Sequence, residues 1–273
     1  PSFETSYAEA DKGVVRDNIL EALFRMAPNK QLRAMLAECL NQIAGHDFPA
    51  AWPALLPQCM QGLQSGDFNR MLAALVALRH VVKKYEYKPS DERGLRGPLN
   101  ALIERVFPVL RSLLAGLLAD HGDKVEAAQM INVGLKVYWS SMQLELCPFV
   151  VQCAQPWLEL IVAVVAKELP EPGAPGGLPA GSDDLEDVHR WPWWKCKKWA
   201  MQILVRFFSR YGNPHYCDAA NKQFAGVFGA QVAPGALGPV LAQLSLRSQG
   251  RSYSERVEQL CIVFVGHTIE LGA

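Results

Sequence analysis

The chain has 273 residues, of which 50% are hydrophobic and 20% are charged, and its 27 basic residues balance its 27 acidic ones. This composition is typical of a folded protein, and the zero net charge argues against attraction of the whole chain to nucleic acid or to an anionic membrane. No apolar run reaches the roughly 18–20 residues that a membrane span requires, so we do not predict membrane insertion.

Helical periodicity starts at VVRDNILEALFRM (14–26) and continues through LRAMLAECLNQI (32–43). In both segments apolar residues recur at i, i+3, i+4 and i+7, which places them on one face of a helix. Further faces of this kind lie near 50–64, 68–85, 99–119, 124–142, 149–168, 192–211, 215–232 and 253–270. No segment shows the strict alternation of a strand. The sequence therefore predicts an all-α protein.

Three segments resemble one another and indicate internal repeats. Each carries a proline before a Leu-rich amphipathic stretch, and they are DFPAAWPALLPQCMQGL (47–63), RVFPVLRSLLAGLL (105–118) and CAQPWLELIVAVVA (153–166). Their spacing of roughly 50 residues is near that of HEAT or armadillo repeats, in which helical hairpins stack on their neighbours. A HEAT/armadillo-like helical-repeat solenoid is predicted, with a non-repetitive helical bundle as the alternative.

The segment LPEPGAPGGLPAGSDDLEDVHR (169–190) interrupts this rhythm. It is rich in Pro and Gly and poor in apolar residues, which predicts a flexible acidic loop. This loop would separate N-terminal HEAT repeats in residues 1–168 from further repeats of the same solenoid in residues 191–273. One interpretation is a solvated linker, and the other is a contact with a basic partner. The residues that would make such a contact are Asp183, Asp184, Glu186 and Asp187.

The segment RWPWWKCKKWA (190–200) combines four tryptophans with three lysines. In a helix that starts at Pro192, seven side chains fall on one apolar face: Trp193, Cys196, Ala200, Ile203, Leu204, Phe207 and Tyr211. Lys197 falls near that face, where its stem would snorkel, and Gly212 would close the helix as a C-cap. Since rings and cations segregate, core packing is favoured over base stacking or a membrane-surface helix.

No catalytic, phosphate-binding or zinc-binding motif accompanies these helices. Seven cysteines without a CxxC pair favour reduced thiols in an intracellular compartment. Cys147 and Cys153 with His121 or His189 fit no known zinc spacing, so we predict neither a metal nor another cofactor, and no enzyme.

The segments PWWKCKKWA (192–200) and ILVRFFSRYGNP (203–214) closely resemble a region of the importin-beta superfamily, in particular the importin-seven/eight-like nuclear transport receptors. VVRDNILEAL (14–23), HDFPAAWPALLPQCMQGLQSGD (46–67) and VVKKYEYK (81–88) resemble it in the same order, and D-[FY]-P-x-x-W is shared widely within the superfamily. The resemblance suggests an N-terminal fragment that lacks the family's first repeat.

The resemblance implies a receptor that shuttles between cytoplasm and nucleus. It implies three kinds of partner: Ran in its GTP form, basic cargo such as ribosomal proteins or histones, and Phe-Gly nucleoporins. Direct binding of nucleic acid is not expected, and an RNA-binding solenoid is disfavoured by the neutral charge. Two alternatives stay open: an exportin of the class that recycles importin-alpha, and a Ran-independent HEAT-repeat scaffold.

Overall fold

The computed structural model describes residues 8–89, 94, 96–181, 185–215 and 217–272, and the chain divides into two compact units, residues 1–102 and 103–273. Every regular element within these described ranges is a helix. The all-α prediction is therefore confirmed.

The first unit consists of two helical hairpins and the beginning of a fifth helix. Its helices are α1 (Glu9–Arg25), α2 (Lys30–Asp47), α3 (Leu55–Leu63) and α4 (Phe68–Lys83). Asn29 and Asp67 cap α2 and α4, because their side-chain oxygens accept hydrogen bonds from backbone N–H groups of the first turn. Contacts of α1 with α2, α3 with α4, and α2 with α4 enclose a core that includes Leu23, Leu40 and Leu78.

The second unit begins within α5 (Gly97–Asp120), which starts in the first unit. The following helices are α6 (Val125–Ser141), α7 (Pro148–Gln152), α8 (Ala154–Ala166), α9 (Leu185–Arg190), α10 (Pro192–Phe207), α11 (Lys222–Val227), α12 (Ala233–Ser245) and α13 (Glu255–Gly272). Single π-helical turns extend α10 over Phe208–Gly212 and join α11 to α12 over Phe228–Val232.

Two layers of helices make up most of the second unit. Helix α10 packs between α6 and α13 in one layer, while α8 and α12 pack against each other in the other. α8 also contacts α10, and α12 contacts α13, so that each hairpin buries its apolar stripe against its neighbour. The Tyr138 and Trp157 rings stack with centroids 4.3 Å apart and fix α6 against α8.

The structure differs from the predicted elements at several places. Pro108 lies inside the continuous helix α5 rather than before a helix, since buried residues such as Phe107, Leu110 and Leu114 hold the helix together across the missing N–H. Helix α12 was not predicted, and the last six residues of the predicted loop, Leu185–Arg190, form α9.

Candidate partner-binding surface

The acidic residues that the sequence suggests as a contact site are only partly placed. Asp183 and Asp184 lie outside the described residues. Glu186 and Asp187 are exposed in the first turn of α9, where the helix dipole stabilises negatively charged side chains. The Glu186 carboxylate accepts a hydrogen bond from the Arg190 guanidinium one turn later. This pairing offsets part of the negative charge that a basic partner would meet.

Residues 169–181 of the predicted loop pack on helices of the second unit. Leu178 is buried, and Glu171 lies 3.8 Å from the Arg251 guanidinium. Gly176 has a φ of +72°, and a Cβ at this position would lie 1.6 Å from the Asp123 carbonyl oxygen. Only glycine fits such an approach, so the Pro/Gly composition serves a backbone that follows the turn between α5 and α6.

The buried face of α10 matches the face predicted from the sequence. Trp193, Cys196, Ala200, Ile203, Leu204, Phe207 and Tyr211 are all buried. The Lys167 ammonium lies 4.8 Å from the centre of the Trp193 ring, and the Tyr211 hydroxyl donates to the Met142 carbonyl oxygen at 2.8 Å. Core packing is thus the role of most of this aromatic area. Gly212 has no positive φ, and its role is close contact with the Phe228 ring rather than a left-handed cap.

Lys197 does not snorkel to the surface as predicted. Its side chain is 2% exposed, and its Nζ donates to the carbonyl oxygens of Val165 and Lys167 at 2.5 and 2.6 Å. These carbonyls lie at the C-terminal end of α8, where a helix leaves acceptors without intrahelical partners. Burial lowers the pKa of Lys197 to about 7. Lys197 is therefore a structural cap between α10 and α8.

Trp199 occupies a different face of α10, where it is half-buried beside cations. Its ring meets that of Trp139 edge-on at 5.6 Å, and the ammonium groups of Lys136 and Lys198 lie 5.5 and 5.2 Å from its centre. Burial, followed by the charges of Arg256 and Lys195, lowers the pKa of Lys198. Positive side chains from α6, α10 and α13 are thus crowded around one aromatic pair.

Lys136, Lys198 and Trp199 line an open cleft of about 370 Å³ between α6, α9, α10 and α13. Besides Asn132, Trp194, Trp199 and Ser254, it is lined by the titratable residues Lys136, Glu186, His189, Arg190, Lys195, Lys198 and Arg256. His189 Nδ1 lies 3.0 Å from Ser254 Oγ, which fastens α9 to the start of α13. Sequence analysis missed this cleft, because Lys136 and Arg256 lie far from the Trp-rich segment along the chain.

A second surface feature is an apolar crevice of about 320 Å³ between α8 and the start of α12. Its walls include Leu158, Val162 and Ala163 on one side and Val232 and Gly235 on the other. Gln155 and Glu159 form its polar edge, with the Gln155 amide donating to the Glu159 carboxylate at 3.1 Å.

The Asp47–Trp52 element has a packing role in the first unit. Phe48 and Trp52 are buried, and the Asp47 carboxylate accepts from the Arg16 guanidinium at 2.9 Å. The Lys84 ammonium donates to the carbonyl oxygens of Ala44 and Phe48. These contacts tie the end of α2 to α1 and α4.

In the described part of the chain, no three His, Cys, Asp or Glu side chains come together as metal ligands. All seven cysteines are free thiols, and burial raises the pKa of Cys59 and Cys261 to about 12. Among the helices described, no single one is long and apolar enough to cross a bilayer, and a bent pair, Lys222–Ala230 with Ala233–Ser245, reaches that length and composition only jointly.

No model of a known protein family matches the chain. The chain is 32% identical over 276 residues to importin-8 of Danio rerio, covering 96% of this chain and 25% of that protein. It is 31% identical over 262 residues to the importin beta-like SAD2 homolog of Arabidopsis thaliana, covering 95% of this chain and 24% of that protein. The chain thus spans about a quarter of the length of the curated relatives it matches.

A solved structure of the exportin Cse1 in its cargo-free, cytoplasmic state superposes with a TM-score of 0.67 at 14% identity, covering 96% of this chain and 26% of that one. Fold and packing thus define a HEAT-repeat protein of stacked helical hairpins, as predicted. With importins at about 30% identity over nearly its whole length, the chain belongs to the importin-beta superfamily. The relatives named here are transport receptors and not enzymes.

Proposed function

We propose that the chain is part of a nuclear transport receptor that carries protein cargo into the nucleus under the control of Ran. The observation that carries this proposal is the similarity to importins over 94–96% of the chain. Cargo and RanGTP would then weaken each other's binding, as reciprocal coupling requires. Such a receptor would shuttle between cytoplasm and nucleus through the nuclear pore.

The acidic segment is proposed as a contact for a basic partner, through Asp183, Asp184, Glu186 and Asp187. Its support is the exposure of Glu186 and Asp187 at the N-terminal turn of α9. Basic cargo such as a ribosomal protein or a histone carries the complementary charge. Since Arg190 already pairs with Glu186, the larger contribution from α9 is expected from Asp187.

The crevice between α8 and α12 is proposed to receive Phe-Gly peptides of nucleoporins. A phenylalanine side chain needs a small apolar recess at the surface, and Leu158, Val162 and Val232 supply apolar walls. The contact would be shallow and weak, which suits passage through many successive binding events. Val162→Asp should abolish retention on a Phe-Gly matrix, whereas Val14→Asp, an exposed site in the first unit, should not.

The test of the main proposal is a titration with Ran. The chain, with full-length importin-8 of Danio rerio as reference, is titrated with Ran locked in its GTP form and, separately, in its GDP form. A basic ribosomal-protein peptide is then added as a competitor. Binding to the GTP form alone, weakened about 5–150-fold by the peptide, is the expected outcome.

An exportin of the class that recycles importin-alpha is the second candidate. Its support is the DFPAAW element of residues 47–52, which that class shares. Because Phe48 and Trp52 are buried and serve packing, this element is compatible with import as well as with export. Cooperation between the peptide and RanGTP would favour export over import. Indifference of the chain to both forms of Ran, while the importin-8 reference binds the GTP form, would favour a HEAT-repeat scaffold.

A further inference from the structure

A recess of about 240 Å³ lies in the second unit, beside the end of α8 that Lys197 caps. It is lined by the chain that follows α8, the start of α10 and the end of α12. The buried side chains of Leu178, Trp191 and Trp194 give it apolar walls, and two further buried lining residues, Lys197 and Gln243, are polar. This recess, hereafter the Lys197 pocket, therefore combines an apolar lining with two polar side chains.

Lys197 has one hydrogen-bond donor more than the fold uses. An ammonium group carries three N–H donors and no acceptor. Two of these donors bind the carbonyl oxygens of Val165 and Lys167 at 2.5 and 2.6 Å. Among the described residues, the third has no acceptor within hydrogen-bonding distance. Since Lys197 is only 2% exposed, an acceptor that enters the pocket would complete the set of hydrogen bonds.

Gln243 supplies a carbonyl oxygen that has no donor. The residue is 9% exposed, and in the described part of the chain its Oε1 makes no hydrogen bond. The last torsion of a glutamine is broad, and no side-chain hydrogen bond to a described residue restrains it here, so the amide can turn its oxygen toward the recess. A buried acceptor without a donor is unfavourable, and an N–H group from a ligand would relieve this.

The other charged groups of the Lys197 pocket are engaged or negative. The Lys167 ammonium lies 4.8 Å from the centre of the Trp193 ring, and the Arg251 guanidinium lies 3.8 Å from the Glu171 carboxylate. Glu168, which is exposed, adds a second carboxylate to the lining. These two carboxylates disfavour an anionic ligand, so the pocket is best suited to a neutral group with one acceptor and one donor.

We propose that the Lys197 pocket binds the side-chain amide of a glutamine or asparagine in a partner peptide. The carbonyl oxygen of this amide accepts from the Lys197 ammonium, and its N–H donates to Gln243 Oε1. The apolar walls formed by Leu178 and Trp191 enclose the methylene stem. A ketone would leave Gln243 without a donor, and a carboxylate would in addition meet the two carboxylates of the lining.

The test uses the whole chain, labelled with ¹⁵N, and propionamide, which is the end of a glutamine side chain. The titration is made at pH 6, below the pKa of about 7 that burial gives Lys197, and is followed by the indole N–H resonances of Trp191 and Trp194. Butanone has the same shape with a methyl group in place of the amide NH₂. It should bind about three- to tenfold more weakly, which is the value of one hydrogen bond. Equal Kd values would overturn the proposal.

A matched pair of variants assigns this preference to the pocket. Gln243→Leu removes the acceptor and should reduce the preference for propionamide over butanone to less than about twofold. Gln58→Leu, in α3, removes another buried Oε1 without a described partner, but outside the pocket, and should leave the preference unchanged. A preference that survives Gln243→Leu, or is lost in Gln58→Leu, would contradict the proposal. Far-UV circular dichroism checks both folds, and Gln243→Met replaces a Leu variant that fails to fold.

Three peptides with blocked termini identify the source of the amide: Gly-Ala-Gln-Ala-Gly, Gly-Ala-Ala-Ala-Gly and Gly-Ala-Glu-Ala-Gly. The glutamine peptide should bind at least about threefold more tightly than either of the others. Equal binding of the alanine peptide would mean that the pocket holds a backbone amide, and tighter binding of the glutamate peptide would mean an anion site. Either outcome would overturn the proposal. Because Ran is not present, the result does not depend on the transport proposal.

Discussion

Helix α10 carries a tryptophan and a lysine on each of two faces, and the two pairs have different structural roles. On the buried face, the Trp193 ring is 1% exposed and Lys197 donates to the end of α8. On the surface face, Trp199 is half-buried and Lys198 lies over its ring at the cleft between α6, α9, α10 and α13. Residue type alone therefore does not separate a structural lysine from a surface one.

The difference between the pairs comes from what each lysine meets. Lys197 meets carbonyl oxygens that a helix terminus leaves without partners, so its ammonium satisfies a need of the fold. Lys198 lies near other cations, Lys195 and Arg256, whose charges add to burial in lowering its pKa. Neighbours in sequence thus have opposite electrostatic surroundings.

The largest effect should come from removing the tryptophans. Trp193→Ala empties a fully buried position and should lower the free energy of unfolding by about 3–5 kcal/mol. Trp199→Ala removes a ring that is partly exposed and should cost about 1–2 kcal/mol. Urea denaturation followed by circular dichroism measures both. Equal losses would mean that the two faces are equally buried in solution.

A smaller difference should separate the lysines. Lys197→Met keeps the apolar stem but leaves the Val165 and Lys167 carbonyls without their donor, at a cost of about 2–3 kcal/mol. Lys198→Met removes one cation–π contact at the surface and should change stability by less than about 1 kcal/mol. A Lys197→Met chain as stable as the wild type would show that the cost of burying the amine equals the value of its hydrogen bonds.

The sequence predicted the buried face of α10 because a period of 3.6 residues decides which side chains lie together. It did not predict the role of Lys197, since that depends on where α8 ends, thirty residues earlier in the chain. Periodicity places Lys197 beside the core, and only the tertiary contact shows that its ammonium stays there.

Helix α12 shows the limit of local propensity. Its sequence APGALGPVLAQLS contains two prolines and two glycines, which indicate a loop. The helix forms because Ala233, Ala236 and Val240 are buried by its neighbours α8 and α13. The cleft beside Trp199 could not be predicted from the sequence either, since Lys136 and Arg256 come near Lys198 only through the packing of α6 and α13 on α10.

Gly212 tests how far the buried face of α10 extends. A Cβ at this position would lie 2.5 Å from Phe228 Cδ1 and 3.0 Å from the Phe207 carbonyl oxygen, so Gly212→Ala should cost about 1–3 kcal/mol. Gly226, in α11, has open space around it, and Gly226→Ala should be neutral or slightly stabilising. Thermal unfolding of both variants measures the difference, and equal midpoints would place the end of the tight packing before Gly212.

The smallest expected effect is a difference between Lys197 and Lys198 in how their contributions to stability depend on pH. Burial holds the pKa of Lys197 near 7, below the ordinary value of 10.5 that it regains on unfolding. Between these values the unfolded chain keeps a proton that the folded chain has lost, so the contribution of Lys197 to stability rises with pH, by at most about 1.4 kcal/mol per pH unit. It is lost as the pH falls through about 7.

Buried thiols such as Cys59 and Cys261 act in the opposite direction. Their pKa is raised in the folded chain, so the unfolded chain releases thiol protons first and the free energy of unfolding falls as the pH rises. The measurement is therefore the difference between wild type and Lys197→Met in urea midpoints from pH 6 to pH 9, since the thiols are common to both chains. The wild type should become more stable relative to Lys197→Met as the pH rises. The corresponding difference between wild type and Lys198→Met should change much less with pH, because Lys198 is far less buried than Lys197. Parallel curves for all three chains would mean that Lys197 keeps its proton in the fold, held there by the carbonyls of Val165 and Lys167.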